Sequence, residues 1–265
     1  MLIEINAWRN VKDVRINLSL RNKAVRTTIA RLPVIIHIIR YIRILIVANK
    51  FKKAVSKIRS FNDMIDLAFS FKSMGITIAP IQVREEIVEL LKLVMSLKPK
   101  IILEIGTWHG GTLFLFTRIA DPVATVISID LPDGSLSHYK LSYPRSYHES
   151  NKLLYKSFAT DNQKIILLKV DSQSPVTLSA IKIILNGRKA DFLLIDGDHA
   201  YEAVKKDFEM YSKLVRQGGI IALHDIVPNQ VGVYRLWCEI RNQFRHAALV
   251  KNWNEKWGGT GVLFT

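Results

Sequence analysis

The chain has 265 residues, of which 49% are hydrophobic and 23% are charged, so a packed globular core is expected. A single cysteine, Cys238, excludes an intrachain disulfide and fits a reducing compartment without proving one. Cys238 lies in the apolar run LWCEI, which indicates a small core residue rather than a nucleophile.

The formal net charge of +15 is concentrated at the N-terminus. Residues 1–60 hold 14 Lys and Arg against only Glu4 and Asp13, a net charge of +12, which leaves +3 for the remainder. A basic segment of this kind suits an anionic lipid surface, a nucleic acid or an acidic substrate, and equally a solvated helix face.

Residues 1–80 are expected to form a mostly helical, basic N-terminal extension. The start of the chain lacks the pattern of a secretory signal, and the apolar stretch 34–48 is shorter than the ~20 residues of a spanning helix and contains Arg40 and Arg43. Two interpretations stay open. Residues 34–58 bind an anionic membrane surface, or this helix packs on the rest of the chain or on a partner subunit in a homo-oligomer. The wide Ile-rich face favours packing. We expect a cytoplasmic protein, with peripheral attachment at the inner membrane face as the alternative.

The chain changes character after Gly75 and Pro80, which mark a break. Residues 82–98 have helical spacing, and from Pro99 onward short apolar runs alternate with helix-like segments. The runs lie at 101–105, 126–130, 165–170, 192–196 and 220–225. The last residues, GVLFT, follow a helical stretch at 232–246 and predict an edge strand. This alternation predicts a doubly wound α/β domain over residues 81–265.

A glycine turn follows the first of these strands, in the segment Glu104-Ile-Gly106-Thr107-Trp-His-Gly110. It departs from the dinucleotide-binding pattern, because position 108 is Trp and Glu104 would repel a pyrophosphate. Glu104 would instead attract a cationic or hydroxyl-bearing ligand. The second strand ends at Asp130, where a carboxylate can accept both hydroxyls of a ribose. Asp171 follows the third strand, near the expected place of an adenine.

In this order, the glycine turn and the two acids resemble class I S-adenosylmethionine-dependent methyltransferases. The resemblance implies a Rossmann-like, mostly parallel seven-stranded sheet with helices on both faces. It also implies S-adenosylmethionine as the cofactor. The residues implied to bind it are Glu104 at the methionine end, Gly106, Thr107 and Gly110 in the turn, Asp130 at the ribose, Asp171 at the adenine, and Asp196.

Further along, the fourth and fifth strands end in Ile-Asp196-Gly-Asp198-His199 and Leu-His224-Asp225. Ligands bind at the carboxyl ends of strands in such sheets, so these side chains should converge on one crevice. Crowded carboxylates repel unless a proton or a cation joins them, and a hard divalent cation such as Mg²⁺ is the natural partner.

This segment resembles metal-dependent small-molecule O-methyltransferases that act on catechols and macrolide sugars. It is more similar to a broad family with the same IDGDH…HD signature, often linked to glycan or antibiotic biosynthesis. The resemblance implies metal binding by Asp196, His224 and Asp225, and His199 as the general base. It implies a sugar, another polyhydroxylated small molecule or a glycan as the acceptor. Mg²⁺ is the expected metal. His224 stands where relatives carry an acid or amide, so Mn²⁺ or Fe²⁺ is an alternative to Mg²⁺, and a further alternative is that His224 does not bind the metal.

Other interpretations of these residues remain. Asp198 is more readily explained as a helix cap before residues 200–214 than as a ligand. His199 is either catalytic or a structural residue. The loop 131–147 holds aromatic and basic residues suited to a sugar or an acidic group, or it is an ordinary surface loop. Trp253, Trp257 and the glycines after them are guessed to form a turn beside the crevice.

Three functions compete with sugar methylation. Methylation of nucleic-acid bases is disfavoured and no nucleic acid is expected, because strand four ends in IDGDH and lacks the polar-Pro-Pro-aromatic motif that holds a flipped base. A second is a membrane- or partner-binding protein that keeps the fold without catalysis. A third is hydroxylase-like chemistry, since the signature family includes proteins named as antibiotic hydroxylases.

Overall fold

The computed structural model of the protein describes residues 23–131, 151–160 and 162–265, with side chains from residue 37 onward. The predictions for residues 1–22 and for most of the loop 131–147 lie outside these residues. Backbone contacts divide the chain into two compact units, Met1–Ile42 and Arg43–Thr265.

In the first unit, the described residues form the N-terminal part of helix α1 (Lys23–Val55). Ile38, Ile39, Tyr41 and Ile42 have about half of their surface exposed there. Among the helices described, none is long and apolar enough to cross a membrane. Membrane-surface binding and oligomer formation stay predictions.

The second unit begins with the remainder of α1, whose side chains Ile44, Val47 and Phe51 are buried. Three elements follow before residue 80: helix α2 (Phe61–Ser70) and the short strands β1 (Lys72–Ser73) and β2 (Ile76–Thr77). Phe51 contacts the ring of Phe114 edge-on at 5.0 Å between centroids, so residues 43–80 pack within this unit. The predicted domain boundary at residue 80 stays a prediction.

Helix α3 (Arg84–Ser96) leads into a seven-stranded sheet with the order β5-β4-β3-β6-β7-β9-β8. The strands from β5 to β7 are parallel, and β9 runs antiparallel to both β7 and β8. The remaining elements are β3 (Ile101–Ile105), α4 (Gly111–Ile119), β4 (Thr125–Asp130), α5 (Lys152–Lys156), β5 (Lys164–Lys169), α6 (Pro175–Leu185), β6 (Ala190–Ile195), α7 (Tyr201–Tyr211), β7 (Val215–His224), α8 (Val231–Ile240), β8 (Arg245–Leu249) and β9 (Thr260–Phe264).

Buried side chains alternate between the two faces of this sheet. Ile102 and Phe192 pack with helices α1 to α5 on one face, while Leu103 and Leu193 pack with α6 to α8 on the other. Cys238, on α8, is a partly buried side chain packed against the second of these cores. The predicted mostly parallel Rossmann-like sheet with helices on both faces is confirmed.

Two details near the C-terminus differ from the sequence prediction. The terminal strand β9 is not an edge strand, because β8 pairs with its outer side. The predicted helical stretch 232–246 ends at Ile240, and Arg245–Leu249 forms β8. The segment RHAAL has only exposed and half-buried side chains, so it lacks the apolar run by which the other strands are recognised.

Candidate functional site

The parallel strands β3, β4, β6 and β7 all end at the same edge of the sheet. Asp130 is the last residue of β4, Asp196 follows β6 directly, and His224 is the last residue of β7. This edge is therefore the one at which α/β sheets of this kind bind ligands.

The glycine turn after β3 packs directly on the end of β6. Gly106 has φ of +93°, and a Cβ at this position would lie 1.9 Å from the backbone oxygen of Asp196. The backbone N–H of Asp196 in turn donates to the oxygen of Ile105 at 2.9 Å. Only glycine fits here, because any side chain would collide with the β6 backbone.

The second glycine of the turn makes an equally close approach. Gly110, with φ of +84°, precedes helix α4, and a Cβ there would lie 2.5 Å from the ring of Tyr155. The Tyr155 hydroxyl donates to the oxygen of Trp108 at 2.8 Å, which fixes the middle of the turn. The turn is therefore held in one conformation by its neighbours.

Glu104 lies beneath this turn with no exposed surface. Its carboxylate accepts hydrogen bonds from Thr112 Oγ1 at 2.5 Å and Ser128 Oγ at 2.7 Å, and Ser128 also bonds the hydroxyl of Thr107. Burial raises the pKa of Glu104 to about 8, although the two hydroxyl donors oppose the rise. The structure thus places Glu104 as a support of the turn, and its contact with the methionine end stays a prediction.

Asp130 is the last residue of β4, and Asp171 follows the end of the neighbouring strand β5 by two residues. Asp130 is opposite Lys169 in the pairing of β4 with β5, and the two side chains form an ion pair that sequence reasoning missed. Asp171 is exposed and accepts a hydrogen bond from the backbone N–H of Gln173 at 2.9 Å. Both acids lie at the predicted edge, and their contacts with ribose and adenine stay predictions.

Asp196, His199 and Asp225 form a cluster with one ligand atom of each residue within 4.8 Å of the others. His199 Nε2 is 3.4 Å from Asp225 Oδ2 and 4.0 Å from Asp196 Oδ1. The side chain of Asp225 is only 5% exposed, whereas that of His199 is 31% exposed, so the imidazole faces the open side. Asp196, His199 and Asp225 therefore lie together at the carboxyl ends of β6 and β7, as the sequence predicted.

His224 lies on the buried side of the same cluster. Its Nδ1 is 3.0 Å from Asp196 Oδ1 and 3.5 Å from Asp225 Oδ2. Burial lowers the pKa of His224, but the negative charge of Asp196, its hydrogen bond and Asp225 outweigh this and raise the pKa to about 9. The cluster of possible metal ligands therefore includes His199, the predicted general base, and does not include His224. His224 instead acts as a counter-ion to the carboxylates of Asp196 and Asp225. A metal-binding role of His224 stays a prediction.

The neighbouring acids have distinct structural roles. Asp225 adopts φ of +67° and accepts a hydrogen bond from the backbone N–H of Gly258 at 2.5 Å. Burial raises its pKa, while the nearby His224 and His199 act against the rise. Asp198 Oδ1 accepts from the backbone N–H of Ala200 at 2.9 Å. Ala200 is itself the N-cap of α7 and no described side chain caps this helix, so Asp198 holds the turn before the helix and does not have the predicted capping role.

Two polar residues of the site were missed by the sequence analysis. Gln82 Nε2 donates to Asp196 Oδ2 at 2.7 Å, and Glu86 accepts from the backbone N–H groups of Gly259 and Lys251 at 2.7 and 2.9 Å. Glu86 falls within the apolar stripe of helix α3, and a charge in such a stripe is the signal that could have revealed it. The glycines at 258 and 259 do lie beside Asp225, as guessed.

Residues 103–226 match the model of a protein family described as a methyltransferase domain. This segment contains both the glycine turn and the clustered residues. Over these residues the chain is similar to a methyltransferase domain. The resemblance of the motifs to class I S-adenosylmethionine-dependent methyltransferases is thereby confirmed at the level of the domain.

Two curated relatives match this chain only in part. An uncharacterized protein of Acanthamoeba polyphaga mimivirus is 30% identical over 125 residues, which cover 46% of this chain and 49% of the relative. An uncharacterized protein of Sinorhizobium fredii is 24% identical over 162 residues, covering 56% of this chain and 16% of the relative. The chain thus spans half or less of the length of these relatives.

Solved structures of methyltransferases share the fold of this chain. The O-methyltransferase TomG of Streptomyces achromogenes, in complex with SAM, aligns with a TM-score of 0.50 and 16% identity over 79% of this chain and 93% of TomG. A calicheamicin methyltransferase aligns with a TM-score of 0.52 and 13% identity over 82% of this chain and 91% of its own. At such identities, the likeness concerns the fold alone.

Proposed function

We propose that this protein transfers the methyl group of S-adenosylmethionine to a hydroxyl of a sugar, another polyhydroxylated small molecule or a glycan. The close approach of Gly106 to the backbone of Asp196 carries the proposal, because it joins the expected cofactor turn to the acidic cluster. The family match over residues 103–226 supports the same conclusion.

The residues of the turn fit the cofactor. Gly106 and Gly110 let the turn pack tightly on the backbone of Asp196 and the ring of Tyr155. Asp130 has a carboxylate at the end of β4 for the two ribose hydroxyls. Lys169 fixes the orientation of that carboxylate through their ion pair. S-adenosylmethionine supplies a methyl group on a positively charged sulfur, which a nucleophilic oxygen can accept.

The carboxylates of Asp196 and Asp225 fit a divalent cation, since carboxylate oxygens are ligands that Mg²⁺ and Mn²⁺ accept. A bound cation would lower the pKa of a neighbouring acceptor hydroxyl. Asp196 and Asp225 would hold it, and His224 balances their charge from the buried side.

His199 is the general base of this proposal. Its half-exposed imidazole can take a proton from an acceptor hydroxyl on the open side, while Asp225, 3.4 Å from Nε2, stabilises the imidazolium that results. Most of the remaining rate enhancement would come from holding the hydroxyl oxygen in line with the methyl group.

The test is a transfer assay with methyl-labelled S-adenosylmethionine and a panel of sugars, glycans and catechols. We expect label in a hydroxylated acceptor, with turnover lost on addition of a chelator and restored by Mn²⁺ or Mg²⁺. Full turnover in the presence of a chelator would show that the reaction does not require a metal. A protein that binds no S-adenosylmethionine at all would favour the alternatives of a non-catalytic partner-binding protein or hydroxylase-like chemistry.

A further inference from the structure

We propose that Gln82, just before helix α3, and Glu86, in the first turn of that helix, are positioning residues for the cation cluster. Gln82 orients the carboxylate of Asp196, and Glu86 holds the backbone turn that orients Asp225. This inference rests on the proposed function, because it assigns a task only if the cluster binds a cation.

Gln82 reaches the cluster from a segment 114 residues away in the chain. Its side chain is 92% buried, and Nε2 donates to Asp196 Oδ2 at 2.7 Å. This contact occupies one carboxylate oxygen and leaves the other, Oδ1, facing His224 at 3.0 Å and His199 at 4.0 Å. The amide therefore determines which oxygen of Asp196 is turned toward the cluster.

The burial of Gln82 is difficult to explain by packing alone. Its Oε1 atom is buried and has no hydrogen-bond partner among the described residues. A buried acceptor without a partner costs free energy that an apolar side chain of the same size would avoid. The contact with Asp196 is the compensating feature, which indicates that the amide is present for Asp196.

Glu86 lies four residues later, in the first turn of α3, and is also buried. Its two oxygens accept the backbone N–H groups of Gly259 and Lys251, at the two ends of the segment between β8 and β9. Asp225 accepts the N–H of the adjacent Gly258. Two carboxylates thus hold consecutive N–H groups of one turn, so a shift of Glu86 would move the hydrogen-bond donor of Asp225.

Residues that hydrogen-bond to metal ligands influence the metal affinity of a site without contacting the metal. Their loss typically weakens metal binding ~10- to ~100-fold. Glu85 provides a matched control. It is the neighbour of Glu86 on the same helix, but it is exposed and pairs with the Lys251 ammonium at 2.6 Å on the surface.

The experiment titrates the full chain with Mn²⁺ alone, following free Mn²⁺ by electron paramagnetic resonance, and separately with S-adenosylmethionine by calorimetry. The variants are Gln82→Met, Gln82→Leu, Glu86→Gln and the control Glu85→Gln, each checked for folding by its thermal unfolding midpoint. We expect the Gln82 and Glu86 variants to bind Mn²⁺ ~10-fold or more weakly, with S-adenosylmethionine affinity unchanged and Glu85→Gln like the wild type.

Wild-type Mn²⁺ affinity in folded Gln82→Met and Glu86→Gln would overturn the inference, as would an equal loss in Glu85→Gln. A wild-type chain that binds S-adenosylmethionine but no Mn²⁺ would also overturn it, while leaving the cofactor part of the proposed function intact. A chain that binds Mn²⁺ with the expected variant pattern but no S-adenosylmethionine would instead reject the methyltransferase proposal and keep the positioning roles.

Discussion

The Cα of Gly106 lies so close to the backbone oxygen of Asp196 that a Cβ on residue 106 would fall 1.9 Å from it. The glycine turn and the residue that begins the acidic cluster therefore cannot move independently. A change at residue 106 must displace either the turn or the end of β6.

Gly106→Ala is expected to abolish detectable S-adenosylmethionine binding and to lower the free energy of unfolding by at least ~1–3 kcal/mol, because strain at φ of +93° adds to the collision. Calorimetry and urea unfolding measure the two effects. Gly187→Ala is the control, since Gly187 has φ of +78° but nothing within 4 Å of a Cβ. It should share the strain and keep binding. Normal binding by Gly106→Ala would show that the turn is not the cofactor cradle.

Asp130→Ala is expected to weaken S-adenosylmethionine binding ~10- to ~100-fold, because a charged hydrogen-bond acceptor for the ribose is lost. Calorimetric titration at one salt concentration measures the change. Asp66→Ala, which removes an exposed acid paired with Arg84 at the surface, should leave the affinity unchanged. If both variants bind equally well, the ribose is not held at the end of β4.

Glu104 should make folding stability depend on pH in a defined direction. Its pKa is raised from 4.5 to about 8 in the folded protein, so the folded state holds a proton that the unfolded state has released. The favourable contribution is complete below the unfolded pKa, and stability falls as the pH rises through about 8.

Glu104→Gln is therefore expected to flatten the decline in unfolding free energy between about pH 5 and about pH 9, as measured by urea unfolding. Asp207→Asn should reduce the decline in unfolding free energy at lower pH, up to about pH 7, because burial raises the pKa of Asp207 to about 7. An unchanged pH profile in Glu104→Gln would mean that Glu104 is ionised in the folded protein.

His199→Asn is expected to lower kcat ~100- to ~10,000-fold, because proton transfer from the acceptor hydroxyl is lost, with little change in Mn²⁺ affinity. Steady-state kinetics over a pH series and Mn²⁺ titration separate the two roles. His246→Asn, on the exposed strand β8, is the control. A large loss of Mn²⁺ affinity in His199→Asn would identify His199 as a ligand instead of the base.

The strand-terminal residues of the site were predictable from sequence, because each follows a short apolar run that marks a buried parallel strand. Asp130, Asp196 and Asp225 could be placed at one edge before any coordinates were known, since parallel strands end together. The same logic explains why the sheet and its helices were predicted and why β8, with no apolar run, was missed.

The supporting residues were not predictable, because their contacts depend on distant parts of the chain. Gln82 meets Asp196 across 114 residues, and Glu86 meets Gly259 across 173. The ion pair of Lys169 with Asp130 depends on strand register, which a local pattern does not reveal. The same holds for the position of His224 behind the cluster and of His199 on its open side.

The most direct test of the account is a crystal structure of the chain with S-adenosylhomocysteine and Mn²⁺, with the metal located by its anomalous scattering. The account predicts a manganese peak bound by Asp196 and Asp225, and the sulfur of the nucleoside facing that peak from the turn at Gly106. Manganese bound elsewhere, or a nucleoside away from both Gly106 and Asp130, would contradict it.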